Sequence, residues 1–182
     1  MSTRENNVQK RKLVPQKERI WIIVALMVSD FMLFWEINGL LQHSLAYLHS
    51  EQFEDTMKDF GSIARIALFF VLTYYVLLRL MKLRFLKGQI NLKKWLSTLL
   101  RFSRRWHTPI AILAIALIIL HTVAVFLHGF EFDFDNINGL LALFVLLPVP
   151  ISGLFRYQRM DKKWHLRSGI AFAILFLIHS FL

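Results

Sequence analysis

Apolar residues along this chain fill whole runs of about twenty positions, and polar and charged stretches separate the runs. Five runs, at about 20–41, 63–83, 106–128, 137–155 and 164–182, can cross roughly 30 Å of hydrocarbon at about 1.5 Å per residue. They predict an all-α fold, an integral membrane bundle of five transmembrane helices. The first run follows a basic tail, as in a signal peptide. It is too long for a signal core and no small-x-small cleavage site follows, so it reads as a retained span. Residues 1–19 are then a basic tail and 20–182 a single transmembrane domain.

Breaks in the pattern refine this picture. Pro148 and Pro150 interrupt the fourth span and predict a kink or an early end. Pro109 falls in the first turn of the third span, where proline costs little. Within about 89–103, Ile90, Trp95, Leu96, Leu99 and Leu100 gather near one face, with Lys93, Lys94 and Arg101 elsewhere. That suits a helix lying in the membrane interface. The mixed, acidic stretch 43–60 predicts an external cap or loop.

Charge sets the orientation. Twenty of the 22 lysines and arginines lie in the N-terminal tail, in segment 79–105 or in segment 156–167, all on one side of the five-span topology. The opposite side carries Glu51, Glu54, Asp55, Asp59, Glu131, Asp133 and Asp135. The positive-inside rule therefore predicts a cytoplasmic N-terminus and a C-terminus outside. The net charge of +10 reflects this flanking pattern and gives no reason to expect nucleic acid. The plasma membrane, as in a bacterium, is the expected location. There is no cysteine, which excludes disulfides, iron–sulfur clusters, thiolate zinc sites and covalently attached haem.

Histidine carries the chemistry. His43, His49 and His128 fall outside the spans or at a span end and read as surface residues. The other four form a pattern. Arg105-Trp106-His107 opens the third span, with His121 fourteen positions on; Lys163-Trp164-His165 opens the fifth, with His179 fourteen positions on. Fourteen residues bring a helix back to within about 40° of the same face and rise about 21 Å. Both spans run in the same direction, so His107 matches His165 in depth and His121 matches His179. Two facing imidazole pairs, one in each leaflet, suit two bis-histidine haems. The separation within each helix rules out a single four-histidine copper or zinc centre.

This pattern resembles the ferric reductase-like transmembrane domain superfamily of NADPH oxidases, ferric reductases and MsrQ-type haem subunits. The resemblance spans residues 20–182. It implies two b-type haems, held by His107 with His165 and by His121 with His179. The superfamily's usual sixth helix, and the flavin and nicotinamide domain of its NADPH oxidases and ferric reductases, have no counterpart in the 182 residues, and no glycine-rich dinucleotide loop is present. Electrons would come from a separate donor protein, a reduced flavin or membrane quinol. They would pass to an acceptor outside the membrane, making the chain a component of an oxidoreductase. Two other functions fit the same residues: a quinol-linked di-haem anchor of a larger oxidoreductase, and a non-redox membrane protein with structural histidines.

Supporting residues follow. Arg104, Arg105 and Arg167 lie within a turn of the histidines opening the two spans and are candidates for haem propionates. The same charges also serve topology and lipid headgroups. Trp106 and Trp164 read as interfacial anchors. In the first span, Glu36 falls at the depth of Arg65 and predicts an ion pair, whereas Asp30 has no cationic counterpart and is a candidate for proton or quinol chemistry. Ser168, Gly153 and Gly169 permit close approach of a neighbour or of haem.

Overall fold

The computed structural model describes residues 16–83, 89–157 and 162–181. Seven helices follow one another among them: α1 (Gln16–Gln42), α2 (Leu45–Leu48), α3 (Glu51–Leu80), α4 (Ile90–Gly129), α5 (Phe134–Leu146), α6 (Pro148–Tyr157) and α7 (Lys162–Phe181). The basic tail up to residue 15, and with it Arg84, Lys87, Arg159 and Leu182, lie outside the described residues.

Five helical stretches are long and apolar enough to span a membrane. At most 22% of the most apolar window of any of them is buried within the chain. Most of that apolar surface, including Phe31, Phe34, Phe144 and Ile174, therefore faces outward, as a lipid solvent requires and water would not tolerate. The chain is an integral membrane helical bundle.

Helix starts come from caps that hydropathy alone does not reveal. Ser44 caps α2 by accepting from the Tyr47 amide, and Ser50 caps α3 by accepting from the Phe53 amide. Segment 43–60, expected as a cap or loop, is instead α2 together with the opening turns of α3. An exposed Lys58–Glu54 pair at 2.7 Å lies along those turns. Asp133 caps α5 through the Asn136 amide.

Stretch 89–103 does not form a helix of its own, because α4 is helical without interruption from Ile90 to Gly129. Pro109 consequently lies deep inside a 40-residue helix and is buried, rather than in a first turn. It removes the amide that would bond the Arg105 carbonyl. The fourth span behaves as its prolines predict: α5 ends at Leu146 and α6 begins at Pro148.

Packing divides the bundle into two units joined at mid-height. α4 lies against α1 and α3, and α7 lies against α5 and α6. Leu68 of α3, Ala114 of α4, Ala142 and Leu146 of α5, and Phe172 and Phe176 of α7 form the core that joins the units. Ala114 lies seven residues from both His107 and His121, and Phe172 seven residues from both His165 and His179. The apolar core thus separates two histidine layers. A second core, of Leu40, Leu48, Phe53 and Ala124, closes the end of the bundle that carries the acidic segments.

Candidate functional site

At the acidic end, His121 of α4 and His179 of α7 face one another with ring centroids 6.4 Å apart. Each ring is held from behind. His121 donates from Nδ1 to the carbonyl of Met57 at 2.9 Å, and His179 from Nδ1 to the carbonyl of Asp135 at 3.0 Å. A carbonyl can only accept, so both neutral rings carry their proton on Nδ1 and leave the Nε2 lone pair uncommitted. Two neutral imidazoles facing each other at this distance could hold one metal ion between them through Nε2. The donor set, the tautomer and the spacing fit a bis-histidine haem iron.

The basic end repeats the arrangement on α7. His165 donates from Nδ1 to the carbonyl of Val149 at 3.0 Å, with the Ser152 hydroxyl 3.3 Å from the same nitrogen. His107 on α4 packs its ring against Tyr74 of α3 at 5.4 Å between centroids. All four histidines are half-buried.

The helices behind these rings share one local feature. Gly61 stands four residues after Met57, Gly139 four after Asp135, and Gly153 four after Val149. In an α-helix the side chain at i+4 overhangs the carbonyl of residue i, so glycine there exposes the carbonyl's second lone pair. A Cβ at Gly61 would come within 3.0 Å of His121, one at Gly139 within 2.9 Å of His179, and one at Gly153 within 3.4 Å of His165. At Gly39 and Gly169 a Cβ would meet nothing. Of the two glycines expected to permit close approach, Gly153 stands against His165, and Gly169 has no protein atom within 4 Å of where its Cβ would be.

Arg65 is placed differently from its expected ion pair. It lies one turn beyond Gly61, and its Nη1 donates to the carbonyl of Ser180 at 3.2 Å, not to Glu36. Side chains lean toward the N-terminus of their helix, which carries the guanidinium back toward the His121–His179 layer. Glu36 is half-buried and Asp30 is exposed on α1. Arg104, Arg105 and Arg167 are exposed at the basic end, within one turn of His107 or His165. Trp164 is exposed as an interfacial anchor would be, but Trp106 packs on Trp21 of α1 with ring centroids 5.1 Å apart.

His128 is not a surface residue. It is half-buried, donates from Nδ1 to the Leu48 carbonyl at 2.8 Å and packs against Phe53, with centroids 6.1 Å apart. The exposed His49 stands 6.3 Å from its ring, and His43 stacks on Tyr47 at 4.3 Å. Sequence reasoning named Gly153 but missed the cradles at Gly61 and Gly139, although Gly139 and Gly153 lie fourteen residues apart, the spacing of the histidines that they face. Comparison with protein-family models, with curated proteins and with solved structures returns no match.

Proposed function

We propose that this chain is a di-haem membrane cytochrome b, resembling the ferric reductase-like transmembrane domains, that carries electrons across the membrane. The observation that carries the reading is the pair of imidazoles at 6.4 Å, each with its Nδ1 tied to a helix carbonyl. A bond of this kind behind the ring orients an imidazole and raises its basicity toward a metal. His121 and His179 would hold one haem, and His107 and His165 the other. When bound, haem would supply a one-electron ferric–ferrous couple, and ligation by both histidines of a layer would leave its iron no open position for oxygen. The protein's part is to fix ring planes, keep water from the mid-height core and place cations near anionic propionates. Arg104, Arg105 and Arg167 serve the basic end and Arg65 the acidic end.

The positive-inside rule puts the His107–His165 layer on the cytoplasmic side. A separate donor protein, a reduced flavin or membrane quinol would supply electrons there, and an acceptor outside would remove them. The decisive experiment is a pyridine haemochrome assay on the purified chain. Two non-covalent b-type haems per chain, low-spin and six-coordinate, are expected. One haem or none would refute the assignment.

A further inference from the structure

We infer that Gly61, Gly139 and Gly153 are positioning residues that set the tautomer and ring plane of the haem-ligating histidines, an inference that rests on the di-haem reading. Three unrelated stretches of sequence arrive at one construction. A helix carbonyl accepts from an imidazole Nδ1, and glycine stands four residues later beneath the ring. The repetition follows the ligands. Gly139 and Gly153 are fourteen residues apart on α5 and α6, and the histidines that they face are fourteen apart on the antiparallel α7.

The distances grade the three sites. At Gly61 and Gly139 an added methyl group would lie 3.0 and 2.9 Å from ring atoms, closer than van der Waals contact allows. The ring would have to give by a few tenths of an ångström, straining its Nδ1–H bond to the carbonyl and turning the Nε2 lone pair. At Gly153 the nearest ring atom is 3.4 Å away, an ordinary contact that a methyl group would share. Facing His107, the place fourteen residues beyond Gly61 on α3 is Tyr75, and the neighbouring Tyr74 ring packs on the imidazole. The acidic-end haem thus has glycine cradles behind both ligands. The basic-end haem has one cradle and one aromatic backing.

The test uses the full chain carrying its haems, with Gly61→Ala, Gly139→Ala, Gly153→Ala and the control Gly39→Ala, where a methyl group would meet nothing. Low-temperature EPR reads the ligand planes of each haem, and loss to apomyoglobin reads haem retention. Gly61→Ala and Gly139→Ala should shift the g-values of one haem only and weaken its retention by about 10- to 100-fold, the usual scale for a lost outer-shell partner. Gly153→Ala should perturb the other haem less, and Gly39→Ala neither. If Gly61→Ala fails to accumulate, adding His121→Ala should restore the protein, because the ring that the methyl group strikes is gone. Failure of that rescue would overturn the inference. So would unchanged spectra and retention in Gly61→Ala and Gly139→Ala, with two haems still present in the wild type. A wild type lacking haem would instead overturn the proposed function, and this inference with it.

Discussion

Arg65 of α3 reaches across the bundle to the carbonyl of Ser180, the residue after His179, at 3.2 Å. The bond ties the end of α7 to the first helical unit and puts a cation beside the His121–His179 layer. Replacing Arg65 with Met keeps the stem but removes the charge. The reduction potential of the acidic-end haem should fall, since a nearby cation favours the ferrous form. A drop on the order of tens of millivolts is expected, where about 59 mV is a tenfold change for one electron. A redox titration that resolves the two haems will check it, and the basic-end haem should not move.

Ligand substitutions should act layer by layer. His121→Ala or His179→Ala should remove the acidic-end haem and largely spare the other, and His107→Ala or His165→Ala should do the reverse. The mid-height core packs between the two layers, so losing one site should leave the other's histidines in place. Haem content with resolved low-spin EPR signals distinguishes these outcomes from simultaneous loss.

Topology gives a separate expectation. A reporter that matures only outside the cytoplasm, fused after Leu182, should be active, and a cytoplasmic reporter there should be silent. The opposite pattern would contradict the orientation inferred from charge and would exchange the donor and acceptor sides.

The electron donor is the fourth expectation. The 182 residues contain no glycine-rich loop to cradle a dinucleotide phosphate. NADPH alone should leave the haems of this chain oxidised in a stopped-flow spectrum, whereas dithionite should reduce both. With reduced flavin as donor, rising salt should slow reduction if the basic face guides the anion.

The spans and the facing of His121 and His179 were legible because both follow from helix geometry alone: length for the spans, a fourteen-residue return for the histidines. Helix ends were not. Ser44 and Ser50 begin helices by capping, in a segment whose acidic composition reads as a loop. Pro109 looked like a first-turn proline only because hydropathy starts the third span at residue 106, sixteen residues after α4 begins. Arg65 and Glu36 share a depth, but depth says nothing about azimuth, and the guanidinium points to α7. The cradles at Gly61 and Gly139 escaped, and Gly153 was named without its partner, because a single glycine in an apolar run has many explanations. Only the facing helix shows that Gly61, Gly139 and Gly153 share one.

Leu68, Ala114, Leu146 and Phe172, packed between the two imidazole levels, carry no titratable side chain of their own. In the proposed conduit, an electron crossing this layer would gain no proton from these side chains, so each transfer would separate charge. Such a current is electrogenic, and its driving force changes by about 2.3 kcal/mol for every 100 mV of membrane potential across the full span. With donors on the cytoplasmic face, a membrane that is negative inside would push electrons outward. Dissipating that voltage in vesicles should slow the current even when the donor and acceptor remain unchanged.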